Sequence, residues 1–65
     1  MKIINKENLE KELFDGAVIC MKDSIEKRYY RINNSNLEYS DDNEKWTVSN
    51  LTIDDLKQNS FVKIN

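Results

Sequence analysis

The sequence predicts a small α+β domain: an amino-terminal helix, an antiparallel meander sheet of four to five strands, and a short second helix before the last strand. Three observations predict this class. A helix-like segment ends at the only glycine of the 65 residues, short alternating segments follow it, and polar turn residues separate those segments. With no proline, 38% hydrophobic and 34% charged residues, the composition is typical of a folded chain and predicts a single domain over residues 1–65.

The first helix is predicted over residues 6–15. Asn5 precedes it as a candidate N-cap, and Gly16 stands where a helix normally ends. Leu9 and Leu13 are four residues apart and share one face of the helix, so we expect that face to be buried.

The segment AVICMK, residues 17–22, predicts a central strand. Hydrophobic residues at successive positions are typical of a strand covered on both faces. Cys20 is the only cysteine, so it forms no internal disulfide, and we expect its thiol to be buried as a small hydrophobic group. Residues 23–26 are predicted to form the following turn.

The next strand lies within KRYYRI, residues 27–32, where cationic and aromatic residues interleave. Alternation directs Tyr30 into the core and places Tyr29 and Arg31 together on the opposite face. A tyrosine ring offers a flat surface for a base, and arginine offers paired donors for a phosphate or diphosphate. The strand therefore predicts a nucleotide-like ligand. The alternative is a solvated sheet face on which Arg31 pairs with Glu38 across the hairpin.

The remaining elements complete the predicted sheet. NNSN, residues 33–36, is typical of a turn, and LEYS and KWTVS continue the strand alternation. Three segments, KRYYRI, LEYS and KWTVS, form the predicted meander. The side chains predicted to face the core from them are Tyr30, Ile32, Leu37, Tyr39, Trp46 and Val48. Thr52 and Asp55 have the spacing of a capping box before a second helix over residues 53–58, and SFVKI predicts the last strand.

The stretch EYSDDNEKW, residues 38–46, holds a dense group of polar side chains. A calcium-binding EF-hand is disfavoured because the stretch lacks both the length and the central glycine of that loop. Paired catalytic carboxylates are disfavoured, since Asp41 and Asp42 at an exposed hairpin tip both stay solvated and ionised. The stretch also resembles a shortened aspartate box of sialidase-like propellers, a structural hairpin motif. We therefore expect a polar β-turn.

Composition disfavours catalysis. The chain has no histidine, which removes the usual neutral-pH proton shuttle and the commonest metal ligand. A single glycine rules out a glycine-rich phosphate loop. We therefore expect no enzyme activity, no metal and no cofactor.

Charge and hydropathy bear on partners and location. The net charge is −2, and residues 38–65 carry three Lys/Arg against six Asp/Glu, without the basic excess of a duplex-binding protein. No apolar run approaches the length of a membrane helix, and the amino terminus lacks the pattern of a secretion signal. We expect a cytoplasmic protein that binds neither nucleic acid nor membrane.

Two motifs frame the chain: the glycine corner LFDGAV, Leu13–Val18, and the segment LTIDDLKQNSF, Leu51–Phe61. Their arrangement resembles a class of small phage proteins from Gram-positive hosts, in which a short helix ends in a Leu-x-x-Gly-x-Val corner and an aspartate-leucine helix precedes an aromatic-started last strand. Several such proteins antagonise bacterial immunity. One group, the Thoeris anti-defence proteins, consists of non-enzymatic sponges that sequester ADP-ribose-derived signals, commonly as oligomers.

The resemblance implies a phage anti-defence protein that holds a nucleotide-derived signal, as a homo-oligomer, in the cytoplasm of an infected bacterial host cell. The four predicted ligand-binding residues come from the strand argument and not from the resemblance. Lys22, Arg28 and Arg31 would neutralise the diphosphate, and Tyr29 would stack on the base.

Two alternatives stay open. The first is an acidic, anti-CRISPR-like inhibitor that binds a host defence protein, with an active surface composed of Asp41, Asp42, Glu44, Asp54 and Asp55. The second is a structural or regulatory phage protein without a role in defence.

Overall fold

The structure, a computed structural model, describes residues 2–22, 25 and 27–64. Two short helices pack on one face of a six-stranded antiparallel sheet, which confirms the α+β class but exceeds the four to five strands predicted. The strands are β1 (Lys2–Ile4), β2 (Ile19–Met21), β3 (Tyr29–Asn33), β4 (Asn36–Ser40), β5 (Thr47–Val48) and β6 (Phe61–Lys63), and the helices are α1 (Leu9–Phe14) and α2 (Ile53–Leu56).

The strand order is β1-β6-β2-β3-β4-β5. Strands β2 to β5 form the predicted meander, whereas β6 returns to the other side of β2 and separates it from β1. Strand β1 is absent from the prediction; it is a segment of three residues whose ladder partner, β6, lies at the far end of the chain. Of the turn predicted over residues 23–26, only Ile25 is among the described residues.

The predicted first helix is present in two parts, a 3₁₀ turn at Lys6–Asn8 followed by α1. Asn5 is extended, as an N-cap residue should be, but its side chain makes no capping hydrogen bond. At this end the Asn8 amide donates to the Asn5 carbonyl at 2.9 Å.

The glycine corner ends α1 as predicted. Gly16 has a φ of +97°, a left-handed conformation that side-chain-bearing residues rarely adopt. Its amide donates to the Leu13 carbonyl at 3.1 Å, and the Ala17 amide donates to the Glu12 carbonyl at 3.0 Å. These two bonds form a Schellman motif, which satisfies carbonyls at the helix end and turns the chain into β2.

The core lies between the helices and the face of the sheet that they cover. Its buried residues are Ile4, Leu9, Leu13, Ala17, Ile19, Tyr30, Leu56 and Phe61. The rings of Tyr30 and Phe61 meet edge to face, with centroids 5.8 Å apart, so strands β3 and β6 are joined by an aromatic pair as well as by β2 between them. The predicted inward positions of Ile32, Leu37 and Tyr39 are confirmed, because all three pack against this cluster.

The prediction that Trp46 and Val48 face the core is wrong. Thr47 pairs with Tyr39, and directly paired residues lie on the same side of a sheet, so Thr47 takes the core side. Val48 pairs with Glu38 and is 56% exposed on the opposite side. A shift of one residue in the register of β5 exchanges its two faces, and the length of the preceding loop sets that register.

The hairpin between β3 and β4 turns at Asn34 and Ser35, as NNSN predicts. Both residues have positive φ, 52° and 65°, which is the type I′ geometry that matches the twist of the flanking strands.

The second helix starts as predicted. The Asp55 amide donates to Thr52 Oγ1 at 3.2 Å, and the Thr52 amide donates to Asp55 Oδ2 at 2.8 Å, which completes the capping box. The helix ends at Leu56, earlier than the predicted residue 58. In the part of the chain that the structure describes, no helix has the length and apolar character needed to cross a membrane.

Candidate functional site

The helices cover one face of the sheet, and the opposite face, which we call the open face, holds the candidate site. The strand register places one row of side chains straight across it, since paired residues of neighbouring strands share a face. This first row consists of Ile3, Val62, Cys20, Tyr29, Ser40 and Trp46, the last of these placed by extending the β4–β5 register by one residue. No member of the row is charged.

A second row runs beside the first. The Ile64 amide donates to the Val18 carbonyl at 2.9 Å, and Arg31, Glu38 and Val48 follow across β3, β4 and β5. In order, the second row is Ile64, Val18, Arg31, Glu38 and Val48. Cys20 in the first row is 4% exposed, which confirms the predicted burial of its thiol.

Arg31 lies on the open face with Tyr29, as alternation predicts, but its guanidinium already has two partners. Its Nε donates to Glu38 Oε1 at 2.8 Å, and its Cζ lies 4.2 Å from the centre of the Trp46 ring. The half-buried pair with Glu38 is the one that the alternative interpretation of this strand predicts. The positive charge of Arg31 is therefore matched within the chain.

Arg28 lies on the core side of the sheet, apart from Tyr29. Its guanidinium sits 4.9 Å from the centre of the Tyr39 ring, and its Nε is 3.5 Å from Asp41 Oδ1. Burial lowers the pKa of Arg28, a hydrogen bond to Tyr30 and the charge of Asp41 raise it, and the net shift is upward. The structure thus separates Arg28 from the other three predicted ligand-binding residues.

A shallow cavity opens at one end of the open face and has a volume of about 130 Å³. Tyr29 and Lys22, which the sequence predicts to lie near each other, both line it. Lys27, which is not among the predicted ligand-binding residues, lines the cavity as well. The remaining lining residues are apolar or weakly polar: Cys20, Met21, Val62 and Ile64. Two cations and an aromatic ring thus border an apolar floor.

The loop within EYSDDNEKW is the polar turn that the sequence predicts, and Asp42 organises it. The Glu44 and Lys45 amides each donate to Asp42 Oδ1 at 2.9 Å, and Ser40 Oγ donates to the same oxygen at 2.8 Å. Asn43 has a φ of 61°, which closes the turn. These bonds give Asp42 a structural role in the hairpin.

The hydrogen-bond donors around Asp42 predict that its carboxyl group stays ionised at low pH. The Lys45 and Glu44 amides and the Ser40 hydroxyl lower its pKa from 3.8 to about 2. A depressed pKa in the folded state stabilises the fold fully above pH 3.8, and that contribution is lost as the pH falls through about 2. In an NMR titration we expect the Asp42 carboxyl to titrate near pH 2, and Ser40→Ala to raise its midpoint because one donor is removed. An unchanged midpoint in Ser40→Ala would contradict this role of the hydroxyl.

Most of the acidic residues assigned to the alternative inhibitor function contact other groups of the same chain. Asp41 contacts Arg28, Asp54 lies 3.5 Å from Lys57 Nζ, and Asp55 caps α2. Within residues 2–22, 25 and 27–64, no group of three or more candidate ligands is placed to hold a metal ion.

Comparison of the chain with models of protein families, with curated proteins and with solved structures finds no match. The candidate site therefore rests on the geometry of its own residues.

Proposed function

We propose that this protein is a non-enzymatic binding protein that captures a nucleotide-derived ligand at the cavity of the open face. One observation carries the proposal: Tyr29, Lys22 and Lys27 border the same apolar recess. An aromatic ring stacks on a base of any identity, and two ammonium groups attract the negative charge of a phosphate or diphosphate. The ligand class that suits this combination has a planar aromatic part and an anionic part.

The arrangement of the cations supports a different assignment for the proposed site. Arg28 is on the far side of the sheet, and Arg31 is already paired with Glu38 and stacked on Trp46. Drawing Arg31 to a ligand would leave the Glu38 carboxylate, whose side chain is 14% exposed, without its partner. We therefore assign the anionic part of the ligand to Lys22 and Lys27, and the aromatic part to Tyr29.

The biological setting in this proposal is phage anti-defence. The resemblance of the LFDGAV corner and the LTIDDLKQNSF segment to small phage proteins supports this setting. The cavity, whose lining offers groups for ligand binding, agrees with it. In that setting the protein acts in the cytoplasm of an infected bacterial cell and holds an ADP-ribose-type immune signal without converting it.

Calorimetric titration with ADP-ribose tests the proposal. We expect Tyr29→Ala to weaken binding by roughly 5- to 150-fold, the factor that corresponds to about 1–3 kcal/mol of stacking. Lys22→Gln with Lys27→Gln should weaken binding further and reduce its dependence on salt. ADP-ribose released by denaturation should have its original mass, because sequestration leaves the ligand intact.

Arg28→Gln is the matched control, since it removes a cation of the same hairpin from the opposite side of the sheet. It should leave the affinity unchanged. Binding that is lost in Arg28→Gln but kept in Tyr29→Ala would refute the assigned site. If neither ADP-ribose nor any other nucleotide binds, the proposed function is wrong and the acidic inhibitor of a host defence protein becomes the better hypothesis.

A further inference from the structure

We propose that a second shallow cavity, beside β1 at the edge of the sheet, binds a small zwitterion, namely a free α-amino acid with an apolar side chain. This cavity has a volume of about 200 Å³. Its lining residues come from β1, from the 3₁₀ turn with the residue before it, and from α1: Lys2, Ile3, Ile4, Asn5, Asn8 and Glu12. Among the described residues, the two cavities share no lining residue, so this inference is independent of the proposed function.

The second cavity lies along the outer edge of β1. Ile3 projects from the open face and Ile4 packs in the core, yet both line the cavity, which places it at the rim of the sheet. Strand β1 is the last strand on this side and pairs with β6. An edge strand directs backbone N–H and C=O groups outward. A ligand at this edge can therefore reach backbone donors and acceptors as well as side chains.

The lining carries one charged group of each sign, the ammonium of Lys2 and the carboxylate of Glu12. Lys2 lies directly opposite Lys63 in the β1–β6 register, where two like charges repel each other. Glu12 is 27% exposed, and its Oε2 lies 3.3 Å from Lys63 Nζ. No described residue forms an ion pair with Lys2. An anionic group bound at Lys2 would supply the charge that this second lysine lacks.

Two side-chain amides complete the polar part of the lining. Asn5 and Asn8 hold N-cap positions of the 3₁₀ turn and of α1, but neither side chain makes a capping hydrogen bond within residues 2–22. Each amide has two N–H donors and a carbonyl acceptor, so the pair can donate to a carboxylate and accept from an ammonium group. Ile3, which is 57% exposed, and Ile4 offer apolar surface for the remainder of the ligand.

This lining disfavours a ligand with a single charge. Glu12 repels a lone anion attracted by Lys2, and the two lysines repel a lone cation attracted by Glu12. A zwitterion avoids both penalties, with its carboxylate at Lys2 and its ammonium group at Glu12. The volume of about 200 Å³ is below the roughly 300 Å³ at which sites for drug-sized molecules begin. A free α-amino acid with an apolar side chain meets these conditions of charge, polarity and size.

An NMR titration of the isotope-labelled protein with L-valine tests the inference. We expect a dissociation constant on the order of 1 mM or tighter, with shifts in the amide signals of Asn8 and Glu12 but not in that of Tyr29. N-acetyl-valine lacks the ammonium group, and valinamide lacks the carboxylate. Each should bind at least about tenfold more weakly than L-valine, because it leaves one charged group of the lining without a partner.

Glu12→Gln should weaken L-valine binding by roughly tenfold or more, through loss of a charged hydrogen-bond acceptor. Lys2→Gln should weaken it by roughly 2- to 5-fold, since the ammonium of this exposed residue is screened by water. Lys2→Gln keeps the test valid if Glu12→Gln, which also loses the contact with Lys63, fails to fold. Glu10→Gln and Lys6→Gln are the matched controls, because each removes the same charge from an exposed residue outside the lining. Both should leave the affinity unchanged.

The inference is overturned if L-valine shifts none of these signals at about 20 mM, well above the expected dissociation constant. It is also overturned if N-acetyl-valine or valinamide binds as tightly as L-valine, or if the control variants lose as much affinity as Glu12→Gln and Lys2→Gln. Failure of the proposed function looks different. A protein that binds L-valine but no nucleotide lacks the ligand site at Tyr29 and keeps the one beside β1.

Discussion

Phe61→Ala should unfold this protein or bring it close to unfolding. Phe61 is 2% exposed, and its ring contacts the edge of Tyr30 at a centroid distance of 5.8 Å. Removal of a buried phenylalanine side chain costs about 3–5 kcal/mol, through lost transfer free energy and the cavity left behind. A domain of 65 residues has a total stability of about 3–10 kcal/mol, so the loss takes a large part of it.

Urea unfolding followed by the fluorescence of Trp46 measures this effect. Phe61→Leu is the matched variant, because it keeps most of the apolar volume and loses only the aromatic contact; its cost should stay below about 1.5 kcal/mol. If Phe61→Ala lowered the free energy of unfolding by less than Phe61→Leu does, the Phe61 ring would not stabilise the core.

Leu13→Ala should cost about 2–5 kcal/mol, whereas Phe14→Ala, one residue later, should change stability by less than about 0.5 kcal/mol. Leu13 is 0% exposed and belongs to the core, while Phe14 is 61% exposed on the same helix. Alanine favours helices in both places, so propensity does not explain a difference between them. Thermal unfolding should show a drop of roughly 8 °C or more for Leu13→Ala alone.

The Phe14 variant is the informative partner in this comparison. If Phe14→Ala destabilised the domain as much as Leu13→Ala, the orientation of α1 on the sheet would be wrong. In that case the identity of the open face would be wrong with it, since the helices define the face that they cover.

The sequence patterns correctly predicted those parts of the fold that depend on residues close together along the chain. The Gly16 corner, the Thr52–Asp55 capping box and the Asn34–Ser35 turn are each set by residues within a few positions of one another. The missed strand, β1, pairs with β6 some sixty residues away, roughly the whole chain length, and no local pattern reports that pairing.

The arrangement of the candidate site could be predicted in part. The prediction differs from the structure mainly where it does not follow the alternation of side chains along β3. Residues 27, 29 and 31 have the same parity, so the alternation that placed Tyr29 and Arg31 together also predicts Lys27 with them. The same rule excludes Arg28, which shares its side with Tyr30 and contacts Tyr39. Applied consistently, alternation places Lys27, and not Arg28, on the face that holds Tyr29.

Other features of the site could not be predicted from the sequence alone. The contact of Arg31 with Trp46 depends on the register of β5, which the geometry of the Asp42 loop sets. Val62, part of the apolar lining of the cavity, comes from β6, whose position beside β2 is a property of the whole topology.

The position of the last strand inside the sheet, between β1 and β2, has a consequence for how the chain folds. Because Phe61–Lys63 stands between β1 and β2, the two parts of the sheet that flank it stay unjoined until the final segment arrives. Such a high contact order predicts slower folding than a helical chain of the same length, and it delays completion of the domain until synthesis has reached its last strand.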